Sequence, residues 1–167
     1  LRPQLLLFAV LAVCATLLLL RVTTWAEQLR LSAINAANHP QSSRSQFFLA
    51  QSQLRAYQSV LQEGGENPAN HLLLARHHFE LMYQNNPRDV AAIVMLYYLD
   101  QHHLPQLQQY QDWFAILEEL ARDRPLQASD ITALETLVDC FIAGACGDDG
   151  ARLLALFDGL QSRYPQR

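Results

Sequence analysis

Turn-forming residues are scarce in this sequence. Only 6 glycines and 7 prolines occur among the 167 residues, whereas a β-sandwich needs many turn residues and runs of β-branched side chains. Leucine, alanine and glutamine are abundant instead, and each of them favours the helical conformation. The sequence therefore predicts an all-α protein.

A basic surface is also lacking. The twelve basic side chains are scattered along the chain, the formal net charge is −4 and the pI is near 5.8. Proteins that bind nucleic acid need clustered basic side chains, because these neutralise the phosphates. We therefore expect no nucleic-acid partner.

Catalytic and metal-binding motifs are missing as well. The chain has no glycine-rich phosphate loop, no nucleophile elbow and no Ser-His-Asp pattern. Its paired histidines, His77-His78 and His102-His103, are direct neighbours, and neighbours on a helix point about 100° apart and cannot chelate one ion. The sequence predicts neither enzymatic activity nor a cofactor or metal site.

One long apolar run lies near the N-terminus. From Leu5 to Leu20 no side chain is charged, and a helix that is apolar on every face must be surrounded by lipid or by protein. Continued to Trp25, this helix rises about 31 Å, close to the thickness of a hydrocarbon core. Arg21 then reaches the headgroups, and Trp25 lies at the membrane interface. We expect residues 1–25 to be a transmembrane helix with its flanks.

Three alternatives compete with this membrane anchor. A cleaved signal peptide needs a small-x-small site after a short apolar core, but Ala12-Val13-Cys14 lies in the middle of the run. A lipoprotein cysteine usually follows a small residue, whereas Cys14 follows valine. A helix buried in a soluble core would need a larger domain around it. A secreted domain with a cleaved leader would lack the first twenty or so residues.

Residues 26–167 change from a continuous to a periodic apolar pattern, which predicts seven helices in antiparallel hairpins. Prolines 40, 87, 125 and 165 recur roughly forty residues apart, the spacing of a helix-pair repeat. The first predicted helix ends at Asn38, and the second runs from a cap at Ser42 or Ser43 to Glu63. The third and fourth cover about Ala69–Asn85 and Arg88–Gln101. The fifth starts at Pro105 and ends at Arg124, the sixth starts at a cap on Ser129 or Asp130, and the seventh includes Leu153–Leu160.

Two cysteines flank the predicted turn after the sixth helix. Cys140 and Cys146 are six residues apart, and a flexible loop can bring their Cα atoms within about 6 Å. In an oxidising compartment they form a disulfide that closes this turn. In a reducing compartment Cys140 is a small buried side chain and Cys146 is free.

The segment Ala75–Asp89 resembles the junction of two tetratricopeptide units. Ala75, Phe79 and Pro87 match the end of one unit, and Asp89 opens the next helix. The Trp, Gly and Tyr of the repeat's first helix have no counterparts, so the array is degenerate. The resemblance implies an α-solenoid whose concave surface binds a protein or peptide. Candidate anchors for that partner are the aromatic residues Tyr57, Tyr97, Tyr98, Tyr110 and Trp113.

A second resemblance covers the order of the motifs. The chain contains, in this order, an apolar helix, Arg21-x3-Trp25, a short helix, His39-Pro40-x2-Ser43-Arg44 and helix pairs. This order is similar to the C-terminal part of multi-spanning bacterial membrane proteins, some of which resemble glycosyltransferases acting on lipid-linked sugars. This similarity implies a bacterial inner membrane with the soluble domain in the periplasm. It also implies that any catalytic part lies upstream of Leu1.

Two functions follow from these patterns. The first is a membrane-anchored helical-repeat protein that mediates protein–protein interaction or scaffolding at the membrane. The alternative is the non-catalytic C-terminal tail of a multi-spanning glycosyltransferase or polymerase acting on lipid-linked sugars. The sequence upstream of Leu1 separates them, because an initiator methionine within a few residues favours the first and further hydrophobic spans favour the second.

Overall fold

The computed structural model describes residues 10–17, 28–64, 67–105 and 111–163, and every regular element in these ranges is a helix. The predicted all-α class is therefore confirmed for the described residues. Residues 10–17 are helical and are labelled α1. The other helices are α2 (Gln28–Asn38), α3 (Ser43–Glu63), α4 (Pro68–Asn85), α5 (Val90–His102), α6 (Trp113–Asp123), α7 (Ala128–Ile142) and α8 (Gly150–Arg163).

The predicted membrane anchor lies largely outside the described residues. Of the span from Leu5 to Trp25, only residues 10–17 are described; they are helical and their side chains are exposed. Arg21 and Trp25 lie outside the described ranges. Among the helices that are described, none is both long enough and apolar enough to cross a bilayer. The transmembrane helix therefore stays a prediction.

Side-chain caps start two of the central helices. The Ser42 hydroxyl accepts a hydrogen bond from the Ser45 N–H at 3.3 Å and begins α3, as predicted. The Asp89 carboxylate accepts from the N–H groups of Ala91 and Ala92 at 3.1 and 3.3 Å and begins α5. These oxygens satisfy N–H groups that have no partner within the helix, which stabilises each start.

Two predicted helix starts are wrong. Pro105 lies in a turn, and residues 106–110 lie outside the described ranges. Helix α6 begins at Trp113, because the Asp112 carboxylate accepts the Ala115 N–H at 2.9 Å and caps the helix there. Neither Ser129 nor Asp130 caps α7, which begins at Ala128. The Asp130 carboxylate instead reaches back from the first turn to accept the Gln127 N–H at 2.7 Å.

Helices α3 and α4 form an antiparallel pair. His71 Nδ1 lies 2.8 Å from Gln53 Oε1, and His78 Nδ1 lies 2.8 Å from Gln46 Oε1. A residue later in α4 therefore contacts a residue earlier in α3, as in an antiparallel pair. Helix α2 packs on α3. Further along the chain, α5 contacts α4, α6 and α7, and α8 contacts α6.

Helix α5 forms the centre of the core, as its composition predicted. Most of its residues are buried, and side chains of α4, α6 and α7 surround it. Burial on nearly all sides explains why this helix lacks a polar stripe. Its buried residues are Val90, Ala92, Ile93, Val94, Met95, Leu96, Tyr97, Leu99 and Asp100.

A buried ion pair ties α4 to α5 and α6. Asp100, which is 1% exposed, accepts two hydrogen bonds from the Arg76 guanidinium, from Nε at 2.6 Å and from Nη2 at 2.9 Å. The same carboxylate accepts the Trp113 indole N–H at 2.8 Å. Arg76 also pairs with Glu80 one turn further along α4. Three donors therefore satisfy this buried charge, as a carboxylate away from water requires.

Candidate functional site

A disulfide closes the turn between α7 and α8. Cys140 lies in the last turn of α7, Cys146 lies in the loop that follows, and their Cα atoms are 5.4 Å apart. That separation is ordinary for a disulfide. The Cys146 side chain is completely buried, so the bond draws the loop onto the core.

Tyr97 of α5 holds the same turn from the core side. Its hydroxyl oxygen lies 2.9 Å from the Cys146 carbonyl oxygen and 3.0 Å from Asp149 Oδ2. Burial, with the nearby negative charge of Asp149, raises the pKa of Tyr97 well above its ordinary value. The phenol therefore stays protonated and donates its hydrogen to this pair of acceptors.

We expect Tyr97→Phe to lower the free energy of unfolding by about 1–2 kcal/mol, because a buried carbonyl loses its hydrogen-bond donor. Urea denaturation followed by circular dichroism measures this change. Tyr98→Phe is the matched control, since its hydroxyl has no hydrogen-bond partner among the described residues and its ring lies in a different cluster. Equal effects of the two substitutions would contradict a role for the Tyr97 hydroxyl.

Arg152 fixes the start of α8 against α6. Its guanidinium lies 3.2 Å from the Glu118 carboxylate, 3.3 Å from that of Asp112 and 3.7 Å from that of Asp149. The guanidinium carbon also lies 4.7 Å from the centre of the Phe114 ring. One cation therefore links the first turn of α8, the cap of α6 and the loop that carries the disulfide.

Arg124 fixes the start of α7. Its guanidinium donates to both oxygens of Asp130, at 2.6 and 3.0 Å, and to the Arg88 carbonyl at 3.0 Å. Burial of Asp130 opposes its ionisation, but the hydrogen bonds from Arg124 and from the Gln127 N–H, with the positive charge of Arg124, outweigh it. The pKa of Asp130 therefore lies below its ordinary value.

This lowered pKa predicts a specific response to acid. The carboxylate stabilises the fold at every pH above its ordinary pKa of 3.8, and this contribution is lost as the pH falls through the lower, folded-state pKa. We expect Asp130→Asn to cost about 1 kcal/mol at neutral pH and to flatten the loss of stability below about pH 4. Unfolding free energies measured between pH 2 and 7 test this, and parallel curves for the variant and the native chain would contradict it.

A groove runs between the two helices that these contacts position. Its volume is about 640 Å³. Six of its lining side chains are apolar, and only two are charged, namely the carboxylates of Glu135 and Asp139. The lining residues are Leu126, Ile131, Leu134, Glu135, Val138, Asp139, Phe157, Leu160 and Gln161.

Further apolar side chains are exposed on both helices that line this groove. Ile131 is 52% exposed at one end of α7, and Ile142 is 80% exposed at the other. Ile131, Val138 and Ile142 are seven and four residues apart, so they share one face of α7. Leu154 of α8 is 69% exposed and precedes Phe157 by three residues. A groove lined in this way can bury the apolar face of another helix.

Comparison with protein-family models, with curated proteins and with solved structures finds no match.

The aromatic residues predicted to anchor a partner occupy separate places. Tyr97 and Trp113 are buried and line a polar cavity of about 250 Å³ beside Asp149 and Arg152. Tyr57 and Tyr98 are half-buried and contact the His103 ring, with centroids 5.4 and 5.5 Å away. Tyr110 lies outside the described residues. The structure therefore brings together two of these residues in one cavity and two in another cluster.

Two histidines, His102 and His103, complete the cluster of Tyr57 and Tyr98. Burial, assisted by the neighbouring His102, lowers the pKa of His103. Rings of Tyr98 and His102 stack at 5.7 Å. No group of three or more metal-ligating side chains is arranged to hold an ion in the part of the chain that the structure describes.

The groove residues were not predicted as a site. In the sequence, Ile131 and Val138 belong to one apolar stripe of α7 together with Leu134, Leu137 and Phe141. That stripe spans about 120° of the helix, and Ile131 lies at its edge, about 60° from its centre. This edge position was the signal that Ile131 could stay exposed on α7.

Proposed function

We propose that this chain is an interaction module held at a membrane, and that the groove between α7 and α8 binds a helix of a partner protein. The observation that carries this proposal is the groove itself, with its apolar lining and the exposed Ile131, and with Ile142 and Leu154 exposed on the same two helices. Exposed apolar side chains that form a continuous patch mark binding surfaces.

The walls of the groove are fixed before any partner arrives. The disulfide and Tyr97 hold the turn that joins α7 to α8, while Arg124 and Arg152 hold the first turns of these two helices. A surface that is already ordered loses little conformational entropy on binding, which favours affinity. This rigidity supports recognition of a helix over a catalytic role.

The membrane and the compartment complete the proposal. Residues 5–25 supply the anchor, and the remainder forms a degenerate tetratricopeptide-type array, in which α3 and α4 are one antiparallel pair. The Cys140–Cys146 disulfide supports an oxidising compartment, since such bonds persist outside the cytoplasm. In a bacterium with the anchor in the inner membrane, that compartment is the periplasm.

The test uses the full chain in lipid nanodiscs and a fluorescent helical peptide with leucines at positions i, i+3, i+4 and i+7 among neutral residues. A photo-crosslinking amino acid replaces Gln161, which lines the groove, or Gln62 of α3, an equally exposed glutamine elsewhere. We expect saturable crosslinking from position 161 only. Equal crosslinking from both positions, or none from position 161, would refute binding in the groove.

The order of motifs around Arg21, Trp25 and His39-Pro40 supports the second candidate function, an accessory tail of a multi-spanning glycosyltransferase or polymerase. In that protein the groove would hold a partner or the enzyme's own helix. The second candidate requires further hydrophobic spans encoded in the same reading frame before Leu1. Sequencing that frame decides between the two candidates, because a start codon within a few residues excludes the tail.

A further inference from the structure

The charges along the groove specify its partner further. Glu135 and Asp139 are exposed, lie one turn apart on α7 and form no ion pair among the residues that the structure describes. Of the residues that the structure describes, they are the only charged ones that line the groove. Helix α7 contains no basic residue at all, so nothing on this helix neutralises them.

Three arginines close in sequence to α7 or in α8 are engaged elsewhere. Arg124 pairs with Asp130, and Arg152 is surrounded by Asp112, Glu118 and Asp149. Arg163, in the last turn of α8, donates to the main-chain carbonyls of Ala121 and Arg122 on α6. Among the residues that the structure describes, no arginine lines the groove or pairs with Glu135 or Asp139, so its acidic edge has no compensating cation there.

We infer that the partner helix carries lysine or arginine beside its apolar stripe, so that these side chains meet Glu135 and Asp139; this inference rests on the proposed function. An apolar helix that buries Ile131 and Val138 places its flanking residues next to the two carboxylates. A basic flank gains attraction there, whereas an acidic flank meets like charge, so the edge selects the partner by charge.

Other occupants fit this edge less well. Anionic phospholipid headgroups would meet the two carboxylates as like charges. A second copy of the chain, paired by two-fold symmetry through α7, would bring the same acidic edge against itself. The chain's own segment from Leu5 to Leu20 has no charged side chain and would leave both carboxylates unpaired.

The absence of lysine from this chain gives a direct chemical readout. All twelve basic residues are arginine, so a water-soluble carbodiimide can join a lysine-bearing peptide to Glu135 or Asp139 without lysine crosslinks within the protein. Two acetylated helical peptides serve as probes. Both carry leucines at i, i+3, i+4 and i+7, and the flanking residues are lysine in one and glutamate in the other.

We expect the lysine peptide to bind the full chain in nanodiscs about tenfold more tightly than the glutamate peptide at low salt, and the difference to shrink in about 0.5 M salt. Carbodiimide treatment should join the lysine peptide to Glu135 or Asp139, and mass spectrometry can locate the crosslinked residue. Glu135→Gln with Asp139→Asn should weaken its binding about fivefold, the effect of losing two exposed ion pairs. Glu119→Gln with Asp123→Asn on α6 is the matched control and should leave affinity unchanged.

The outcomes separate this inference from the proposed function. If both peptides bind equally and the Glu135/Asp139 variant changes nothing, the basic partner is wrong while the groove remains a binding site. If neither peptide nor the neutral leucine peptide binds, both proposals fail. Competition by anionic vesicles, or concentration-dependent dimerisation that Ile131→Glu abolishes, would assign the groove to lipid or to a second copy and overturn the inference.

Discussion

Asp100→Ala is expected to lower the free energy of unfolding by about 3–5 kcal/mol, because it removes one partner of a buried ion pair and leaves the other charge uncompensated. The Arg76 side chain is only 14% exposed and reaches Asp100 with two donors. The Trp113 indole N–H loses its acceptor in the same step. Urea denaturation followed by far-ultraviolet circular dichroism measures the difference.

Two further variants decide whether the buried geometry causes this loss. Glu80→Ala removes the other carboxylate beside Arg76, but Glu80 is 35% exposed, so its loss should cost less than about 1 kcal/mol. Replacement of both partners, Arg76→Met with Asp100→Leu, should be less harmful than Asp100→Ala alone, because no buried charge is left unpaired and Glu80, which loses Arg76, is partly exposed. A change below about 1 kcal/mol for Asp100→Ala would show that the ion pair does not hold α4, α5 and α6 together.

Loss of the disulfide is expected to lower the free energy of unfolding by about 2 kcal/mol, the chain-entropy value for a loop of six or seven residues. Cys140→Ala with Cys146→Ala removes the bond without adding a buried hydroxyl. The variant and the dithiothreitol-treated native chain should both melt several degrees lower than the oxidised chain in differential scanning calorimetry.

Cys14→Ser is the control for this experiment, since Cys14 is exposed and unbonded. The Cys14→Ser variant should have the same melting temperature as the native chain, both when the two are compared with dithiothreitol and when they are compared without it. If reduction lowers the melting temperature of the alanine variant as much as that of the native chain, the effect arises elsewhere. Equal melting temperatures for the oxidised and the reduced native chain would contradict a structural role of the disulfide.

Local patterns in the sequence predicted the helices well. Ser42, one of the two predicted caps of α3, and the ends of α3 at Glu63 and of α4 at Asn85 depend on neighbours in the chain, and the structure confirms each of them. The start of α6 was misplaced. Proline is common in the first turn of helices, which favoured a start at Pro105, but the Asp112 cap sets the observed start.

Contacts between distant residues could not be predicted in the same way. Arg76 and Asp100 are 24 positions apart, and Tyr97 reaches the turn around Cys146 from a different helix. Periodicity marks which face of a helix is apolar, but it does not say which neighbour covers that face. For this reason the apolar pattern of α7 did not indicate that Ile131 lies in an open groove.

Binding at that groove is the central claim, and one affinity measurement tests it most directly. Ile131 in the groove and Leu73 on α4 are 52% and 48% exposed, so Ile131→Asp and Leu73→Asp introduce the same charge at surface positions of matched exposure. Fluorescence anisotropy of the leucine–lysine peptide with the full chain in nanodiscs should show about a tenfold loss of affinity for Ile131→Asp and no loss for Leu73→Asp. Unchanged affinity of the Ile131→Asp variant would contradict the account.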